Sequence, residues 1–179
     1  LIAMGALEAG MKEDELDPLV SAWREANPRI VQLWYAVDRA AKNAIRKESV
    51  EKTHGLTFEY RGSMLYITLP SGRQLSYVKP RLGENKFGGE SVTYMGMDGT
   101  KHWGRIETFG GKLTENIVQA IARDILCHAM ECLKDYRIVA HVHDECIIEA
   151  PREASVKEIC EKMATVPSWA PGLILRADG

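Results

Sequence analysis

From residue 13 onward, apolar side chains return every three or four positions, with Leu16, Leu19, Val20 and Trp23 on the first such stripe. Asn27-Pro28 interrupts it, and a second stripe follows through Ile30, Leu33, Trp34, Val37, Ala41 and Ala44. Two amphipathic helices are therefore predicted over 13–47, with Asn27 as an N-cap and Pro28 at the first helical position. Between 55 and 107 the period becomes two. Leu56, Phe58 and Tyr60 alternate with polar residues, Arg61-Gly62-Ser63 turns the chain, and 64–69 is the return strand. Pro70-Ser71-Gly72 makes the next turn, before a strand over 73–78. A loop is predicted over 80–89, then two shorter strands at 92–95 and 102–107 joined by Met97-Asp98-Gly99.

Helical spacing resumes at 112–133, where Leu113, Ile117, Ala120, Ile121, Ile125 and Ala129 form the apolar stripe. Residues 137–149 are β-rich, and 153–163 reads as a last amphipathic helix carrying Val156, Ile159, Cys160 and Met163. There is no internal repeat and no low-complexity segment. The pattern specifies an α+β fold over 1–179 as one domain, antiparallel β-hairpins packed with amphipathic helices.

At 179 residues, 45% hydrophobic and 27% charged, the chain can bury a core of ordinary globular composition. No apolar run approaches the roughly 20 residues that span a bilayer, and no signal-peptide pattern opens it. A cytoplasmic protein with no membrane partner is the expectation. Cys127, Cys132, Cys146 and Cys160 fit no zinc spacing and are expected to be free, mostly buried thiols. The net charge of −2, from 23 basic and 25 acidic residues, lacks the basic excess of a dedicated nucleic-acid module. Both ends read as cut: Leu1 opens what looks like the tail of a helix over 1–10, and 173–175 resembles a strand running into a turn.

One segment concentrates chemistry. His141-Val142-His143-Asp144-Glu145 lies between the β-branched run Ile138-Val139 and the apolar pair Ile147-Ile148. Placed at a hairpin tip, with Ile138, Val142, Ile147 or their neighbours buried, the adjacent acids would repel each other beside a sheet unless a cation or hydrogen-bond donors compensate. Magnesium takes hard oxygen ligands from one or two carboxylates and from substrate phosphates. Solvated turn residues are the plain alternative. A His-x-His pattern on a strand can also ligate zinc, as in metal-dependent hydrolases of barrel architecture, but the chain is too short for such a barrel. In the helix before this segment, Lys112, Asn116, Gln119 and Arg123 recur at spacings of four, three and four, so they share a face that could donate to minor-groove acceptors. A merely solvated helix face has the same spacing.

Val142-His143-Asp144-Glu145, followed by Glu149-Ala150-Pro151, resembles the third sequence motif of family A DNA polymerases, the DNA polymerase I family. The helix Asn116-Ile117-Val118-Gln119-Ala120-Ile121-Ala122-Arg123-Asp124 resembles that family's palm helix, and its start, Gly110-Gly111-Lys112-Leu113-Thr114-Glu115-Asn116, is closer to phage-type members. Trp23-Arg24, Asn27-Pro28-Arg29-Ile30-Val31 and Trp34 look like the helix pair after the nucleotide-binding helix. Leu69-Pro70-Ser71-Gly72-Arg73, with Tyr77 and Pro80, resembles the Gly-Arg turn. His141 stands where many members have glutamine, and Glu115 with Asn116 departs from the bacterial pattern at the helix start.

The resemblance implies a carboxy-terminal palm fragment in which Asp144 and Glu145 bind or neighbour two magnesium ions and His143 approaches the primer terminus. It implies that Gln119, Asn116, Arg123, Lys112 and Arg73 contact DNA. Primer-template DNA, deoxynucleoside triphosphates and the rest of a polymerase chain are the implied partners. The implied reaction is template-directed nucleotidyl transfer by two metals. The family's first catalytic aspartate and its nucleotide-binding helix have no counterpart in this sequence, so the isolated chain is expected to be inactive. The competing reading is a non-catalytic DNA-binding domain or a decayed prophage remnant.

Overall fold

The computed structural model describes residues 2, 5–85 and 87–179. The expected helix tail at the start lies partly outside the described residues; 5–10 form successive turns, with Gly5 and Gly10 at positive φ. The two expected helices are present as α1 (Glu13–Ala26) and α2 (Pro28–Lys47). Asn27 does not serve as the expected side-chain N-cap. Its Nδ2 donates to the carbonyl of Trp23 at 2.8 Å and closes the end of α1, while its own carbonyl accepts from Ile30 and Val31 to begin α2. Orphan carbonyls at the end of one helix compete for the same side chain as orphan N–H groups at the start of the next.

The middle of the chain is an antiparallel meander in sequence order: β1 (Val50–Thr53), β2 (Leu56–Arg61), β3 (Met64–Thr68), β4 (Gln74–Glu84), β5 (Glu90–Met97) and β6 (Trp103–Thr108). His54-Gly55 and Gly62-Ser63 turn the first two hairpins with positive φ at both positions, the conformation that matches strand twist. The predicted loop over 80–89 is wrong in its first half. β4 runs through Pro80 to Glu84, because a bulge between Val78 and Arg81, with Lys79 at φ 46°, accommodates a residue that cannot donate to the ladder. The turn is confined to the last part, where the Asn85 side chain accepts from the N–H groups of Phe87 and Gly89.

One face of this sheet packs on α2. Val37, Ala40, Ala41 and Ala44 meet Leu56, Phe58, Leu65, Ile67, Tyr77 and Val92, and the small alanines let helix and sheet approach closely. Leu113, Ile117 and Ala120 of α3 (Gly110–Cys132) complete the core. Helix α3 starts hard against α2. The Gly110 N–H donates to Asp38 Oδ1 at 3.0 Å, and a Cβ at residue 110 would lie 2.1 Å from the Trp34 carbonyl oxygen. Farther along α3 the buried residues are Leu126 and Ala129, and Leu133 just after the helix, whereas Ile121 and Ile125 are half-buried.

The chain ends with a separate hairpin, β7 (Arg137–Val142) and β8 (Glu145–Glu149), and α4 (Val156–Met163) against α3. No strand forms at 173–175, and Ile174 is 83% exposed. The fold is α+β, with four helices, the six-stranded sheet and the hairpin among the described residues. The cysteines depart from expectation: Cys127 is exposed, and Cys132, Cys146 and Cys160 are only half-buried. Burial raises the Cys146 thiol pKa above its usual value.

Candidate metal-binding hairpin and nucleic-acid helix

Val142 pairs with Glu145, so His143 and Asp144 are the two turn residues of the β7–β8 hairpin. His143 takes φ 51°, a left-handed conformation that costs a residue with a Cβ some strain. His143, Asp144 and Glu145 are all exposed, and among the described residues their side chains make no hydrogen bond or ion pair. Two adjacent carboxylates are thus presented to solvent from the hairpin turn.

The strands behind them are not buried as the sequence pattern suggested. Val142 is 50% exposed and Ile147 49%, and Ile138 is only half-buried. A two-stranded sheet with no third strand has little to bury its apolar side chains against. The desolvation that was expected to demand a cation is therefore absent within this chain. No group of three or more His, Cys, Asp or Glu side chains is arranged to hold a metal among the described residues. Asp144 and Glu145 could supply two hard oxygen ligands, fewer than magnesium's six, so further ligands must come from elsewhere.

On α3 the four expected face residues separate. Gln119 and Arg123 are exposed and free of side-chain partners among the described residues. Lys112 is exposed in a 2.9 Å pair with Glu115. Asn116, however, turns toward the sheet and donates to the Tyr77 hydroxyl at 3.0 Å. Tyr77 is 5% exposed and stacks edge-on with Tyr94, and burial raises its phenol pKa despite the bond from Asn116. The helical spacing of Asn116 is correct, but a partner 39 residues earlier draws its side chain inward.

Arg73 also has work inside the chain. Its Nε donates to Asp124 Oδ1 at 2.6 Å and its Nη2 to the Ala120 carbonyl at 2.7 Å, while Ser71 Oγ donates to Asp124 Oδ2 at 2.5 Å. The turn between β3 and β4 is thereby fastened to α3. The pairings of Asp124 with Ser71 and Arg73, and of Asp38 with Gly110, have no signal in the sequence, since no local period links residues 51 to 72 positions apart. A groove of about 800 Å³ opens between α2, the start of α3 and β5, bordered by Trp34, Tyr35, Lys42, Ser91 and Phe109. It includes none of the hairpin residues, so the concavity and the carboxylate pair are distinct features.

No protein-family model and no solved structure matches the chain. A relative is found: the chain is 48% identical, over an alignment of 184 residues that takes in all of it, to a protein described as a DNA polymerase from Bacillus phage SP02. The chain spans 28% of that relative's length, and along this stretch it is similar to part of a phage DNA polymerase.

Proposed function

We propose that this chain is part of the palm of a DNA polymerase of the family A type and supplies one of its catalytic carboxylates. The observation that carries the polymerase reading is the identity of 48% to a phage DNA polymerase along the entire chain, and the family A palm assignment rests on the motif resemblance around Asp144. The solvated, unpartnered state of Asp144 and Glu145 at the hairpin turn supports it, because catalytic ligands must remain available to the substrate complex.

In the complete enzyme Asp144 and Glu145 would hold magnesium, which when bound neutralises charge at the reacting phosphate. The chain's own residues position the partners. Asp144 fixes one side of the site from the hairpin tip, and His143 beside it reaches toward the primer end. Gln119 and Arg123 donate to minor-groove acceptors, which occur in every sequence, so they hold the primer terminus without selecting bases. The half-exposed apolar side chains of the hairpin, Val139, Val142 and Ile147, would be covered by another strand of the palm that also brings the missing ligand. Arg73 and Asn116 act as positioning residues for α3, a role that differs from direct DNA contact.

The first test is nucleotide incorporation on a primed template by the purified chain, compared with the complete polymerase that contains it. The chain alone should incorporate nothing, having two carboxylates where the site needs more. Incorporation by the chain alone would overturn the division of the site between segments.

A further inference from the structure

Alternation along the six-stranded sheet sends Phe58, Leu65, Ile67 and Tyr77 toward α2 and their neighbours to the opposite, outer face. The register joins Arg61, Met64, Val78, Met95 and Arg105 into one continuous row across β2 to β6 on that outer face. A guanidinium stands at each end of the row, with apolar side chains between. At about 4.8 Å per strand the row extends about 19 Å. The adjacent row carries Tyr66 and, at its far end, Met97 beside Trp103, both of which are 62% exposed.

The guanidinium of Arg61 lies 5.0 Å from the centre of the Tyr66 ring. Arg105 Nη1 donates to the Lys79 carbonyl at 3.2 Å and to Thr93 Oγ1 at 3.0 Å, which fixes its plane against the sheet. Exposed Lys52 and Arg81 lie on the same face, in the rows of Thr57 and Thr93. The carboxylates in these rows are Glu59 and Glu107. Four cations against two acids make this face positive in a chain whose net charge is −2.

Rings and methionines on a rigid sheet, framed by oriented guanidinium groups, match the chemistry of an unpaired strand. Its bases present flat π-faces for stacking and its phosphates pair with arginine. Duplex DNA keeps its bases stacked on each other, so it offers phosphates and groove edges but no free π-face for stacking. We propose that the outer face of the β1–β6 sheet binds single-stranded nucleic acid, with Tyr66 and Trp103 as stacking platforms and Arg61, Arg81 and Arg105 as phosphate contacts. The site is separate from the Asp144 hairpin and does not depend on its chemistry.

Fluorescence anisotropy of a fluorescein-labelled oligothymidylate, titrated with the full 179-residue chain at several salt concentrations, tests this. Wild-type chain should bind with affinity that falls as salt rises, and an unlabelled blunt duplex should compete poorly. Trp103→Ala should weaken binding about tenfold. Arg61→Gln with Arg105→Gln should lower the salt slope by about 1.4, the share of two phosphate contacts on a single strand. Lys157→Gln, on α4, should change neither. Thermal melts by circular dichroism verify that each variant is folded; if loss of the Arg105 bonds unfolds the double variant, Trp103→Ala and Arg61→Gln alone decide. Absence of binding by the wild-type chain, unchanged affinity in Trp103→Ala and Arg61→Gln, or equal competition by duplex overturns the proposal.

Discussion

Replacing Arg73 with alanine separates a structural arginine from a DNA-binding one. The side chain makes two charge-assisted bonds, to Asp124 at 2.6 Å and to the Ala120 carbonyl at 2.7 Å, and Asp124 is 9% exposed whereas Arg73 is 44% exposed. Bonds to charged groups contribute about 1.5–3 kcal/mol each when shielded, and an exposed partner reduces this. Loss of Arg73 also leaves the Asp124 carboxylate with Ser71 as its remaining partner. A destabilisation of about 2–3 kcal/mol follows. Urea unfolding of wild type, Arg73→Ala, Asp124→Ala and the double variant would measure it, with a coupling of about 1–2 kcal/mol between the two sites. The double variant should be less destabilised than the sum of the singles. A loss below about 0.5 kcal/mol in Arg73→Ala, together with a clear fall in primer-template affinity, would refute the reasoning and return Arg73 to the DNA surface.

Gly110→Ala should destabilise the chain by about 2 kcal/mol or more, since the new Cβ meets backbone of α2 and the helices must separate; an unchanged urea midpoint would contradict the close approach. Tyr77→Phe should alter the alkaline limb of the stability curve. The Tyr77 pKa is raised on folding, so its contribution is complete below the unfolded value near 10 and is lost as pH rises through the higher folded value. The gap between wild type and Tyr77→Phe in urea unfolding should therefore depend on pH above about 10 and be constant below it. His143→Gly should relieve the left-handed backbone at the hairpin tip and slow amide exchange in β7 and β8, by about 1 kcal/mol in local opening free energy; faster exchange would show that the imidazole itself holds the turn.

Helical and strand periods in the sequence located α1, α2, α3, most of the meander and the β7–β8 turn, because those elements answer to local apolar spacing. Strand β1 escaped notice, since Val50-Glu51-Lys52-Thr53 carries one apolar residue and takes its place by pairing with β2. The passage of β4 through Pro80 depends on a bulge opposite β5, which no single-strand pattern encodes. The same limit explains the site. Asp144 and Glu145 could be placed at a turn from their neighbours, but the inward turn of Asn116 toward Tyr77 and the capture of Arg73 by Asp124 arise from contacts between distant segments. The apolar alternation of β7 and β8 marked a face for burial, and within this chain that face is largely exposed.

The most direct test of the polymerase reading is single-turnover nucleotide incorporation by the complete enzyme carrying Asp144→Asn, measured beside primer-template affinity. A carboxylate that serves the reacting phosphate predicts a rate about a hundredfold lower or worse, with DNA affinity within about threefold of wild type. An incorporation rate equal to wild type, or a loss of rate matched by an equal loss of DNA binding, would contradict the role assigned to Asp144.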